Sequence, residues 1–201
     1  MMRIADAELD RFLDDDVPYG DLTTRSLGLG PRSAAMAFRA GGDLVASSTE
    51  DAAKILTRLG CAVTLEAASG VRARAGDLLL SASGPADSVL AGWKVAQTLV
   101  EYASGIATAA AAIVAAARAV RPDVVVACTR KTFPGTKAVA IKAVIAGGAV
   151  PHRLGLSDSV LLFPEHRALL GQTSMAEAVA TVHPRQKWHT LQPGEMFLYV
   201  K

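Results

Sequence analysis

The sequence predicts an α/β chain in two parts. An amino-terminal α+β region with antiparallel strands comes first. A run of βα units follows and builds part of a parallel sheet or barrel. Three observations carry this. Residues 33–83 alternate between strand-like and turn-like stretches. From residue 124, short apolar runs alternate with helical patterns. After about Ala180 that patterning gives way to His183-Pro184-Arg185-Gln186-Lys187-Trp188-His189. Two or three strands cannot close a barrel, so the expected architecture stops part-way. The expected division is 1–104 and 105–201, with a divergent tail from about 172.

The first helix is expected over residues 4–13, where Ile4, Leu9, Phe12 and Leu13 have helical spacing. Asp14-Asp15-Asp16 beside Pro18 and Gly20 then ends it, and reads as a solvated turn in preference to a metal site. Thr23 and Thr24 lead into an extended region. Strands follow at Ser33–Arg39 and Leu44–Ser47, joined as a hairpin at Gly41-Gly42. Thr49 caps a helix over Glu50–Leu59, and Gly60 stops it. Ala62–Glu66 and Leu78–Ser81 are further strands, with a turn at Gly76-Asp77. Pro85 opens a long helical tract in which Trp93, Leu99 and Val100 read as packing residues. Ser104-Gly105 is expected to interrupt it, and Arg121-Pro122 to end it. Strand 124–128, helix 136–146, strand 148–152, strand 159–163 and a helix after Pro164 complete the pattern.

Composition narrows the function. The chain has 201 residues, 51% of them hydrophobic, enough for one sizeable core or two small domains. A net charge of +2 gives no global nucleic-acid signal, and no helix carries a basic face with interleaved aromatics. Cys61 and Cys128 are far apart and read as buried thiols, as in a reducing cytoplasm. No secretion leader opens the chain. The uncharged run Tyr102–Ala117 is too short and Ala-rich to span a bilayer, and reads as a packed helix.

The chemistry concentrates between Val124 and Ser159. From Val124 through Ser157 there is no Asp or Glu, yet Arg130, Lys131, Lys137, Lys142 and Arg153 all lie there. Thr129-Arg130-Lys131-Thr132 follows one strand and His152-Arg153 the next. Strands that end in cations form an anion site at their carboxyl ends. Two solvated basic loops are the plainer alternative.

These residues, in order, resemble a known family. Ser104-Gly105-Ile106-Ala107-Thr108, Thr129–Thr132 with Pro134-Gly135, Gly147-Gly148, His152-Arg153, Gly155-Leu156-Ser157-Asp158 and His166 match the nicotinate-nucleotide pyrophosphorylase family, also called quinolinate phosphoribosyltransferase. Tyr19–Thr24 matches its amino-terminal turn, and the likeness covers roughly residues 12–170. Phe133, Thr136-Lys137, Ala149-Val150-Pro151 and residues 162–167 resemble the ModD branch, encoded alongside molybdate transport genes.

The resemblance implies an amino-terminal α/β sandwich, a carboxy-terminal α/β barrel of the quinolinate phosphoribosyltransferase type, and a homodimer in which one subunit completes the other's site. It implies transfer of phosphoribose from phosphoribosyl pyrophosphate to a pyridine carboxylate, with Mg²⁺ and release of pyrophosphate. Arg130, His152 and Arg153 stand where the family holds substrate carboxylates, and Lys131 where a lysine meets the donor. Those residue types suit the task, since guanidinium groups grip carboxylates at two points and a lysine gives phosphate a point charge. His152 bonds a carboxylate or orients its neighbour.

The chain also departs from the family. Lys94 replaces an arginine that reaches into the partner's site, and Phe163 replaces a lysine of the quinolinate enzymes. The family's later acidic residues lie beyond the recognisable match, and Glu177 and Glu195 fall on no motif. Asp158 forms a turn or touches ligand, and His166 is a further site candidate. His183 and His189 are not read as ligands. The competing expectation is a truncated, inactive relative that binds small anions or a partner chain.

Overall fold

The structure, a computed structural model, describes residues 2–182 and 197–200. His183, His189 and Glu195 lie outside the described residues. Helix α1 (Asp6–Asp16) runs through the acidic residues expected to end it, and the break follows at Val17. Thr23 and Thr24 belong to a short helix, α2 (Leu22–Ser26), not to an extended stretch. Asp21 starts that helix by accepting from Thr23 N at 2.9 Å and from Thr24 Oγ1. The side-chain oxygen supplies the acceptor that the free first-turn N–H lacks.

Strands β1 (Ser33–Arg39), β3 (Ala62–Leu65) and β5 (Leu78–Pro85) form an antiparallel sheet in the order β1-β5-β3. Strands β2 (Leu44–Val45) and β4 (Arg72–Ala73) form a separate antiparallel pair. The expected hairpin at Gly41-Gly42 is therefore not formed. Ala40 N donates to Asp77 O at 2.9 Å and Gly76 N to Ala40 O at 2.8 Å. The 74–77 turn thus takes the backbone that the hairpin would have used.

Helix α3 (Thr49–Arg58) packs Ala52, Ile55 and Leu56 inward, and Gly60 follows it at φ +92°. Ser48, not Thr49, is its N-cap residue, and the Thr49 hydroxyl donates to Ala67 O at 2.6 Å.

Helix α4 (Ala86–Val120) is one unbroken helix of 35 residues. Ser104 and Thr108 do not interrupt it. Ser104 Oγ accepts from Ser47 N at 3.0 Å, and Thr108 Oγ1 accepts from Val45 N at 2.9 Å. Both tie the β2–α3 connection to the helix while Thr108 also donates to Ser104 O, the back-bond that keeps such residues helical. By length and composition α4 is long enough to cross a membrane. Val89, Ala96, Leu99, Ala103, Ala107, Ala111 and Val114 nevertheless form one buried stripe at helical spacing, in the same apolar core as α3 and β5 up to Ala111. Trp93, expected to pack, is exposed.

After α4, β6 (Val125–Cys128), α5 (Lys137–Ala146) and β7 (Val150–Pro151) form a βαβ unit with parallel strands. Gly147 lets α5 close on α4, because a Cβ there would run into Ala107 O and meet Ala110 Cβ at 2.6 Å. The expected strand over 159–163 is absent as an element, with an isolated bridge at Val160. Helices α6 (Pro164–Leu170) and α7 (Met175–Ala180) follow. The tail returns as β8 (Phe197–Val200), parallel to β6 on the edge away from β7. The sequence pattern gave no sign of that strand.

Candidate functional site

The site is built on the paired ends of β6 and β7. Ala127 faces Val150 and Cys128 faces Pro151 in the parallel ladder. His152 N then donates to Cys128 O at 3.2 Å and carries the pairing one residue further. The Thr129–Thr132 turn and His152-Arg153 thus leave the sheet side by side. Arg130 and Lys131 are exposed, His152 is half-buried, and Arg153 is buried. Lys131 N donates to Thr129 Oγ1 at 3.4 Å.

Beside this edge lies a cleft of about 1030 Å³ between α4, α5 and the end of β6. Lys131, Thr129, Thr132 and Phe133 line it from the turn, and Lys94, Tyr102 and Ile106 from α4. Its wall is otherwise mostly apolar, and Asp15 and Asp16 of α1 also reach it. Lys94 faces this chain's own cleft, with Nζ donating to Gln97 Oε1 at 3.0 Å and lying 4.1 Å from the Trp93 ring centre. The structure therefore brings Lys94 and Lys131 to one cavity. Arg130, His152 and Arg153 sit at the adjoining strand ends, outside its lining.

One cation of the basic stretch has another task. Lys142 is 4% exposed and forms ion pairs with Asp51 and with Glu50 Oε2, the latter at 3.4 Å. Glu50 also accepts from Ser69 N at 2.9 Å and Ser69 Oγ at 2.6 Å. Burial pushes the Glu50 carboxyl up, but the Ser69 hydrogen bonds and Lys142 outweigh it and hold it below its usual range. Lys142 therefore joins α5 to α3 and is not part of an anion site. The absence of acids between 124 and 157 hid this, because its partners come from residues 50 and 51. The interior lysine of the otherwise apolar helix KAVAIKAVIA, five residues after Lys137 at its start, was the available signal, since a buried lysine is almost always paired.

The remaining candidates are resolved locally. Asp158 accepts from Leu154 N at 2.9 Å and is a turn former. His166 Nδ1 accepts from Phe163 N at 3.0 Å. Burial raises the Cys128 thiol above its usual range, and Cys61 is raised likewise by burial and by Asp87, so neither is a ready thiolate. Among the described residues no group of three or more His, Cys, Asp or Glu is placed to hold a metal ion.

The chain matches the family models for the quinolinate phosphoribosyl transferase N-terminal domain over residues 21–104 and C-terminal domain over residues 106–190. It is 52% identical over 180 residues to a Rhodobacter capsulatus protein carrying the name pyrophosphorylase ModD, covering 90% of this chain and 70% of that one. It is 34% identical over 174 residues to the human nicotinate-nucleotide pyrophosphorylase (carboxylating), covering 87% of this chain and 58% of that one. The crystal structure of NadC from Streptococcus pyogenes superposes with a TM-score of 0.79 at 26% identity, over 90% of this chain and 65% of that one.

Proposed function

Because the chain belongs to the quinolinate phosphoribosyl transferase family, we propose that it is a phosphoribosyltransferase acting on a pyridine carboxylate. The ring nitrogen of the acceptor attacks C1 of phosphoribosyl pyrophosphate. The bond from C1 to the pyrophosphate oxygen breaks, and pyrophosphate leaves with the electron pair. The ribose carries positive charge at that moment and the leaving group negative charge, so positioned charges are the main catalytic resource.

The observation that carries this reading is Lys131. It stands exposed on the wall of a large cleft at the carboxyl end of β6, beside Arg130 and the β7 end. Its ammonium is assigned to the donor's phosphates. Arg130, His152 and Arg153 are assigned to the acceptor carboxylate. Mg²⁺ belongs to this proposal only as the counter-ion of the donor. The exposed Trp93 and Tyr102 flank Lys94 on α4, which supports a homodimer formed along that helix.

The test is pyrophosphate release by the purified chain with phosphoribosyl pyrophosphate, Mg²⁺ and a panel of pyridine carboxylates. Release with one acceptor, lost in Lys131→Ala, is the expected result. A folded chain that neither binds the donor nor releases pyrophosphate with any acceptor overturns the reading. Light scattering on the same sample reads the oligomeric state.

A further inference from the structure

Helix α5 reads KAVAIKAVIA and is apolar on every side except at its two lysines. Of its ten residues only Lys137, at its start, is exposed. Such a helix can be turned about its axis without exposing an apolar residue or burying a polar one. A turn by one residue, about 100°, merely exchanges one aliphatic wall for another. The apolar residues of α5 therefore leave its rotation weakly defined. Yet the rotation decides which of them line the cleft, where Val139, Ala140, Ile141 and Val144 now stand.

Lys142 supplies the missing discrimination. It is the one polar side chain inside α5, and it pairs with Asp51, itself 1% exposed, and with Glu50. The socket on α3 is held in turn. Glu50 accepts from Ser69 N and Ser69 Oγ, and Ser69 Oγ accepts from Ser48 N at 2.9 Å. Turning α5 by one residue takes the ammonium out of this socket and leaves charges of both signs buried apart. That costs far more than exchanging aliphatic neighbours. Fixing a register is the best-attested use of a buried ion pair.

The rotation also sets the path of the chain that enters α5. Thr136 N and Oγ1 donate to Phe133 O at 3.1 and 2.8 Å, and Ala140 N donates to Thr136 O at 2.9 Å. The Thr129–Thr136 segment, with Lys131 on the cleft wall, is thereby tied to the first turn of α5. We propose that Lys142 is a positioning residue for the site. Its buried pair with Asp51 and Glu50 fixes the rotation of α5, and so the place of the segment that presents Lys131. The consequence for ligand rests on the transferase reading, and the rotation itself does not.

The test separates position from stability. Lys142→Met/Asp51→Leu replaces the pair by apolar groups and is expected to unfold near the midpoint of the unaltered chain. Amide hydrogen exchange over residues 129–146 is nevertheless expected to rise about tenfold in it, with exchange in α3 and α4 unchanged. Calorimetry is expected to show phosphoribosyl pyrophosphate binding about tenfold weaker. Leu56→Ala, a core truncation in α3 that keeps the pair, is the control. It is expected to lower the midpoint and leave the donor's affinity unchanged. Native exchange over 129–146, or native donor affinity, in the folded double variant overturns the inference. So does a double variant that does not fold, or a Leu56→Ala chain that loses donor affinity equally. If the unaltered chain does not bind the donor, the transferase reading falls and the exchange pattern alone decides the role of Lys142.

Discussion

Lys142 and Lys131 belong to the same βα unit and end in opposite surroundings. Lys142 is buried between α5 and α3, held by Asp51 and Glu50. Lys131 is exposed on a cleft wall at the strand end. The first contributes to how the two matched regions are joined, and the second is placed for an anionic ligand. In sequence both are lysines in a stretch without acids. The difference teaches that local charge balance identifies an anion site only after the partners from distant elements are known. Asp51 and Glu50 are supplied by a helix that precedes α5 by four strands and a long helix.

The comparison is broken most directly at Lys142. Lys142→Met leaves the buried Asp51 with only the half-exposed Lys54, 3.7 Å away, and is expected to cost about 3 kcal/mol in urea unfolding. Lys142→Met combined with Asp51→Leu is expected to recover most of that loss. A double variant as unstable as the single one removes the ion-pair account. Lys131→Ala is the counterpart. It is expected to lower pyrophosphate release by about 100-fold, the scale of losing one charge-stabilising group, while stability changes by no more than about 0.5 kcal/mol. A loss of stability with normal turnover per folded molecule inverts the two assignments.

Packing at the same seam gives a smaller effect. Gly147→Ala drives a methyl against Ala107 O and Ala110 Cβ and is expected to cost about 1–3 kcal/mol, read as a lower unfolding midpoint. The smallest effect is acid sensitivity. Glu50 is held below its usual range, so the unfolded chain binds its proton first as pH falls. Its contribution is therefore present above the ordinary glutamate range and is lost as pH drops through its folded value. Glu50→Gln is expected to flatten the fall in melting temperature between about pH 3 and 5, since Gln does not titrate. An equal slope in both proteins excludes Glu50 as a source of the acid sensitivity.

The legibility of the chain follows the range of the interactions. The β1 bounds, the α4 start at Pro85, the Gly60 stop and the β6–α5–β7 unit were readable from local pattern and breakers. The Gly41-Gly42 hairpin failed because the 74–77 turn competes for the Ala40 backbone. The Ser104-Gly105 break failed because the two hydroxyls at 104 and 108 bond to the β2–α3 segment. At the site, Lys131, Arg130, His152 and Arg153 were visible as cations and a histidine at strand ends.

By itself the sequence determined the family, the order of α1, β1, β2, α3, β3, β5, β6, α5, β7 and α6, and which residues bear charge near the strand ends. Those depend on periodicity, capping and motif spacing, all short-range properties of the chain. Only the tertiary structure decided that Lys142 is consumed by Asp51 and Glu50, that Lys94 and Lys131 share a cleft, and that β8 covers the open edge of β6. Those depend on which distant groups meet. In a buried setting the presence or absence of one counter-charge outweighs any local preference.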